Sequence, residues 1–223
     1  MKILAVSDRV LGHLYSTNVR ENYPDVELLI GCGDLPFYYL EFLISALNVP
    51  LLYVRGNHDT SPQYTIDGRT LTSVQGGTDL HGQVIRLNGL IAAGLEGSMR
   101  YRPGAPLMYS ESEMRWQVLR MIPQFLWRRL RYGRAVDLLV THSPPFGVHD
   151  RPDRAHTGFR IFRDVIRYFK PHFLLHGHIH VYRHDVERVT RVGETTVINV
   201  YPYRVLDLSS APGAESYGSG KMK

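Results

Sequence analysis

The stretch Leu51-Leu52-Tyr53-Val54-Arg55-Gly56-Asn57-His58-Asp59 decides how the rest of the chain is read. Its four leading apolar residues predict a buried β-strand. Gly56 at the strand end lets the backbone turn sharply. The turn brings three polar side chains to the carboxyl edge of the sheet, where open α/β sheets bind ligands. Asn57 offers a neutral amide oxygen to a hard or borderline metal, His58 can move a proton near neutral pH, and Asp59 can accept a hydrogen bond from that imidazole. Taken alone, the same run would also serve as a polar turn after a strand.

Upstream, Lys2 to Ser7 predicts a strand that ends in Asp8, and Glu27 to Ile30 a second that runs into Gly31-Cys32-Gly33-Asp34. Leu11 to Asn22 reads as a short helix stopped by Pro24, and Pro36 opens another that reaches Ala46. This β-α-β-α-β rhythm implies parallel strands with right-handed crossovers. Downstream, Thr60 to Asp79 is a polar surface loop. Val84–Leu87 and Leu90–Gly94 form a hairpin across Asn88-Gly89, and Leu95 to Pro106 is irregular. Ser110-Glu111-Ser112-Glu113 is a capping box. The helix it starts continues to Tyr132, kinked or split at Pro123. Its Arg115, Arg120, Arg128, Arg129 and Arg131 read as an ordinary solvated face, with a membrane- or nucleic-acid-binding face as the alternative.

Val136 to Val140 predicts a strand leading into Thr141-His142-Ser143-Pro144-Pro145. Gly158 to Phe169 is an amphipathic helix, and His172 to Leu175 a strand leading into His176-Gly177-His178-Ile179-His180. Val181–Val189 pairs with Thr195–Val200, and Tyr203 to Leu208 adds an edge strand. From Ser209 the chain has little to bury and reads as a disordered tail. Residues 1–208 contain no repeat or interdomain linker and read as a single domain, with 209–223 as the tail.

Of the 223 residues, 43% are hydrophobic, enough for a substantial core. The formal charge of +5 is carried almost wholly by arginine, with lysine only at Lys2, Lys170, Lys221 and Lys223. Such a charge permits an anionic substrate without singling out nucleic acid. The first residues lack a signal-peptide pattern and no apolar run matches a membrane span. A single cysteine, Cys32, excludes an internal disulfide and fits a reducing compartment. The expectation is a cytoplasmic protein with no membrane partner.

Five strand ends carry potential metal ligands: Asp8, Asp34, Asn57, His142 and the pair His178 and His180. Each has an ordinary reading alone, since Asp after a strand is often a helix N-cap and a lone histidine is more often a satisfied polar residue. Together, on one edge of a parallel sheet, they imply a metal site, and no zinc-finger cysteine pattern competes.

In order and spacing, Gly33-Asp34, Gly56-Asn57-His58-Asp59, His142 and Gly177-His178-Ile179-His180 resemble the calcineurin-like metallophosphoesterase family, over about Met1 to Val200. The resemblance implies an α/β (α+β) four-layer sandwich, two mixed β-sheets flanked by helices. It implies two divalent transition metals (manganese, iron, zinc or nickel). One would be held by Asp8, Asp34 and His180, the other by Asp34, Asn57, His142 and His178, with Asp34 bridging. The family's first block, Asp-x-His, is Asp8-Arg9-Val10 here, and Val10 cannot bind a metal. Either water fills the place, or His13 reaches in, or one position is weak or empty.

The implied activity is hydrolysis of phosphomonoesters or phosphodiesters by in-line attack of a metal-bound hydroxide. His58 would stabilise the transferring phosphoryl group or protonate the leaving oxygen, with Asp59 orienting it. Asn57, His58, Arg100, His149 and His156 are candidates for contact with a small phosphoester substrate. Two other functions stay open. One is a protein-binding scaffold that kept the fold and lost catalysis, as in the retromer subunit with this fold. Val10 favours it, and the intact Asn57, His58, His142, His178 and His180 oppose it. The other is a nuclease, favoured by the positive charge.

Overall fold

A computed structural model describes residues 1–59, 62–64, 68, 70–183 and 185–208. The expected tail, 209–223, and parts of the expected loop at 60–79 lie outside them. In chain order the elements are β1 (Lys2–Val6), α1 (Val19–Asn22), β2 (Val26–Cys32), α2 (Phe37–Leu47), β3 (Leu51–Val54), β4 (Gln63–Tyr64), β5 (Thr70–Leu71) and β6 (Gly77–Asp79). There follow β7 (Val84–Leu87), β8 (Leu90–Leu95), β9 (Ser98–Met99), β10 (Met108–Tyr109), α3 (Glu111–Tyr132), β11 (Leu138–Thr141) and α4 (Arg160–Phe169). The last are β12 (Phe173–His176), β13 (Val189–Val192), β14 (Thr195–Asn199) and β15 (Tyr203–Asp207).

Two mixed sheets carry the fold. The first has the order β15-β1-β2-β3-β6, parallel except for β15. The second has the order β13-β14-β12-β11-β8-β7, parallel within and antiparallel at both edges. The strands that lead into the candidate ligands therefore belong to two sheets, not one: β1, β2 and β3 to the first, β11 and β12 to the second. Their carboxyl ends meet because the sheets are stacked.

The period-two geometry of a strand explains the layering. In β1, Ile3 and Ala5 face one way and join Leu28, Ile30, Leu138 and Val140 in a core between the sheets. Leu4 and Val6 face the other way and pack with Leu40, Leu43 and Leu47 of α2. On the far side of the second sheet, Ile91, Leu139 and Leu174 pack against Met114, Val118 and Phe125 of α3 and Phe162 of α4. The result is helix, sheet, sheet, helix, with apolar runs buried on both faces as parallel strands require. Each fully buried leucine or phenylalanine contributes ~1.5–3 kcal/mol.

Several local expectations change. Only Val19–Asn22 of the expected Leu11–Asn22 helix is helical. The Ser16-Thr17-Asn18 run bonds to itself instead, Asn18 N–H donating to Ser16 Oγ at 3.4 Å, which competes with helix bonding. The 60–79 segment contributes β6, which pairs in parallel with β3 as an edge strand. The region 95–106 is not wholly irregular, because β9 pairs with β10. Pro123 neither splits nor ends α3, which runs through it for 22 residues. It sits on the exposed side, where a helix loses least by giving up one N–H donor. The strand expected at Val181–Val189 lies later, at Val189–Val192, and turns into β14 at Gly193-Glu194. The Asn88-Gly89 hairpin holds as expected, both residues having positive φ.

Candidate metal centre

Asp8 follows β1, Asp34 follows β2, and His178 follows β12. All three adopt left-handed backbone conformations, with φ of 62°, 56° and 65°. For non-glycine residues these angles cost of order a kcal/mol each and persist only where neighbours enforce them. The enforcing bonds are present. Asp8 N–H donates to Gly33 O at 3.0 Å, Asp34 N–H to Asp59 Oδ2 at 2.8 Å, and His178 N–H to both Asp8 carboxylate oxygens at 3.0 and 3.1 Å. The backbones approach so closely that two glycines are obligatory. A Cβ on Gly56 would collide with Asp34 Oδ1, and one on Gly177 would collide with Ser7 Oγ and come within 2.5 Å of Asp8 Oδ2.

The turns bring Asp34, His142 and His178 together, with one ligand atom of each within 4.8 Å of the others. His142 is fully buried. Its Nδ1–H donates to Cys32 O at 2.8 Å, leaving Nε2 facing Asn57 Oδ1 at 3.1 Å and Asp34 Oδ2 at 3.4 Å. His178 Nε2–H donates to Ala155 O at 2.8 Å, leaving its Nδ1 as the free ring nitrogen. A histidine that ligates a metal characteristically anchors its other ring nitrogen on a carbonyl or carboxylate. Two imidazoles, a carboxylate and an amide oxygen are a donor set suited to a divalent transition metal.

The electrostatics agree with a site for positive charge. Burial works against the Asp34 carboxylate, but the positive His142 ring outweighs it and brings its pKa down to about 2. Burial likewise pulls His142 down, and Asp34 reverses the sign and raises it to about 9. Burial and the neighbouring His142 push His178 down to about 4, so its ring is neutral and free to ligate. A cation held here would supply to Asp34 the positive charge that the His142 ring supplies without it.

Asp8 and His180 form a second, sparser group, with His180 Nε2 3.3 Å from Asp8 Oδ1. The His180 ring stacks on Tyr201, centroids 4.6 Å apart. The Asp8 carboxylate also accepts from Ser7 Oγ–H. Val10 packs against the apolar cluster of the outer layer. His13 is exposed, and its ring lies 5.1 Å from Tyr203.

The remaining candidates divide. His58 is exposed, and its N–H donates to Asp34 Oδ1 at 2.8 Å. The Asp59 carboxylate faces inward, where Oδ2 accepts from the N–H groups of Gly56 and Asp34. The expected partnership with the His58 ring is thus replaced by a clamp across two strand ends. The His156 ring lies 5.3 Å from His178 and is held by Asp153 at 2.7 Å. Arg100 is directed to Glu113 in the first turn of α3 and to Met108 O in β10. His149 and His180 line one cavity. Thr190 Oγ1, His149 and His176 form a hydrogen-bonded chain with both steps at 2.9 Å, and His176 Nδ1–H in turn donates to Gly177 O at 2.9 Å, which braces the turn there.

Sequence reasoning missed Tyr101, whose hydroxyl lies 3.5 Å from Asn57 Nδ2. It also missed the pair Arg55–Glu96, 2.9 Å apart, whose Arg55 stands two residues before Asn57 in the chain. Adjacency of Arg55 to Gly56 was the available signal for the latter.

The chain matches the family model for calcineurin-like phosphoesterases over residues 2–182, and it belongs to that family. Among curated proteins, none matches this sequence. One solved structure superposes with a TM-score of 0.63 at 17% identity, covering 95% of this chain and 96% of that one. TT1561 of Thermus thermophilus gives 0.61 at 16% identity, with coverages of 95% and 96%. Both show a shared fold. Vacuolar Protein Sorting 29 from Cryptosporidium parvum, at a TM-score of 0.36 and 15% identity over 89% of this chain and 72% of that one, is too distant a likeness to bear on function.

Proposed function

We propose that the protein is a metal-dependent hydrolase of phosphomonoesters or phosphodiesters, with one strongly built metal position and a weaker neighbour. The observation that carries this is the convergence of Asp34, His142 and His178 with both imidazoles already aimed by backbone carbonyls. Asp34, Asn57, His142 and His178 would hold the first metal; Asp8 and His180, lacking a third residue at Val10, would hold the second less tightly, with Asp34 shared. Manganese, iron, zinc and nickel all suit the nitrogen and oxygen donors. A divalent metal held there would activate water and offset phosphoryl charge.

The chain's own groups supply the rest. His58, exposed beside Asp34, would donate a proton to a leaving oxygen or stabilise the transferring phosphoryl group. His156 and Tyr101 border the same edge and would contact the ester. Asp59 would set the loop that carries Asn57 and His58.

The test is turnover of p-nitrophenyl phosphate and bis-p-nitrophenyl phosphate after reconstitution with each of the four metals, for wild type and His142→Ala. Metal-dependent turnover that His142→Ala abolishes supports the reading. No turnover of either ester with any metal, in protein shown to hold metal, refutes it and leaves the scaffold.

A further inference from the structure

Among the described residues, exposed large apolar side chains gather on the outer face of α3. Trp116, Leu119, Leu126, Trp127 and Leu130 are 61%, 45%, 53%, 52% and 88% exposed, and they include both tryptophans of the chain. At about 100° per residue they fall within an arc of about 100° on the helix. Met114, Val118, Met121 and Phe125, which dock the helix on the second sheet, occupy the opposite arc. The outer stripe lies outside the buried core, and the ring contacts of Trp127 among the described residues are with its helix neighbours Arg128 and Tyr132. A contiguous exposed apolar face marks an interaction site.

Charge identifies the partner. Arg115 and Arg129 border the stripe on one side, Arg120 and Arg131 on the other, and all four are exposed. The two acidic residues of α3 lie in its first turn, and both are engaged. Glu111 accepts the N–H groups of Arg160 and Ile161 at the start of α4, and Glu113 closes the capping box and pairs with Arg100. From Met114 to Val136 the chain has no acidic residue.

We propose that α3 is a peripheral membrane anchor that lies flat on anionic phospholipid. Its leucines and tryptophans enter the interface, and the flanking arginines extend to the headgroup phosphates. No described helix is long and apolar enough to cross a membrane, so the mode is surface attachment. The expectation of no membrane partner rested on the lack of a spanning run and on reading the arginines of this helix as an ordinary solvated face; the exposed apolar stripe between them argues for the other reading. A second copy of the chain fits poorly, because packing stripe on stripe sets arginine rows against arginine rows with no carboxylate between them. Nucleic acid would engage the arginines and tryptophans but leave Leu119, Leu126 and Leu130 in water. Because α3 covers a sheet face and the candidate metal centre lies at the strand ends, attachment leaves the site open.

The test is flotation of the full chain with vesicles of phosphatidylcholine alone and of phosphatidylcholine mixed with phosphatidylglycerol. Tryptophan emission is read in parallel. Wild type is expected to float with the anionic vesicles only, with blue-shifted emission, and to be released by salt. The double variant Leu126→Ser/Leu130→Ser should bind about tenfold more weakly or worse, with an unchanged Tm because both side chains are exposed. Failure of wild type to bind anionic vesicles at low salt, or equal binding by the double variant, overturns the proposal. So does binding of single-stranded RNA, or self-association in sedimentation, without vesicle binding.

Discussion

The Asp59 carboxylate accepts the backbone N–H of Asp34 at 2.8 Å, so a residue that follows β3 fastens the end of β2. The same oxygen accepts from Gly56 N–H at 2.7 Å. Burial and the Asp34 charge push the Asp59 pKa up to about 7, which shows how enclosed the clamp is. Asp59→Ala leaves two enclosed N–H groups without their acceptor. It should lower stability by ~2–4 kcal/mol and reduce metal retention, measured by chemical denaturation and elemental analysis. An unchanged denaturation midpoint would show that the clamp carries no weight.

His58→Ala should behave differently. The contact His58 makes with Asp34 is through the backbone N–H, which alanine keeps. Tm and metal content should match wild type while turnover falls ~10²–10⁴-fold. Undiminished turnover would remove the ring from the mechanism.

Metal content separates the two positions. After loading and desalting, His142→Ala should retain almost no metal, whereas His180→Ala should retain as much as wild type. If His180→Ala loses half of the bound metal, the second position is as strong as the first and Val10 is compensated.

Gly177→Ala should be destabilising by ~1–3 kcal/mol, because the new methyl meets Ser7 Oγ and the Asp8 carboxylate. Metal affinity should fall with it, as Asp8 and the His178 backbone separate. Wild-type affinity in this variant would mean that Asp8 plays no part in the site.

The capping box gives a pH signature. Hydrogen bonds from the Ser110 backbone N–H and hydroxyl, together with Arg100, hold the Glu113 pKa at about 2. Its folded value lies below its unfolded one, so its contribution is complete above the ordinary carboxylate range. That contribution disappears as pH falls toward about 2. The group is surface-exposed and solvent screening trims the effect, leaving about 1 kcal/mol or less. Glu113→Gln should therefore have a lower Tm than wild type near neutrality and an equal one in acid. A gap of constant size across that range would rule out titration of Glu113 as its source.

Strand positions were readable because buried parallel strands are continuous apolar runs, as at Leu51–Val54 and Leu138–Thr141. So was the gathering of Asp34, His142 and His178, because a carboxylate or imidazole after such a run has few other places to go. Which sheet a strand joins was not readable. The runs ending at Asp34 and at His142 look alike locally, and only stacking puts them in different layers. Short polar elements failed for a related reason. The Ser16-Thr17-Asn18 turn and β6 depend on side-chain bonds and edge pairing that leave little periodicity. The Asp59 clamp was missed because adjacency to His58 suggests a partner that the turn carries it away from.

Cys32 O aims His142, Ala155 O aims His178, and the N–H groups of Gly56 and Asp34 fix Asp59. Every one of these anchors belongs to the main chain. A point mutation can delete a ligand, but replacing Cys32 or Ala155 with another residue of tolerable size leaves the carbonyl where it was. A saturation scan of the chain should thus show sharp intolerance at Asp34, His142 and His178 and leniency at Cys32 and Ala155, although the latter pair sets the angle of both rings. Side-chain identity can drift at those two positions while the aim of the imidazoles is inherited through backbone geometry.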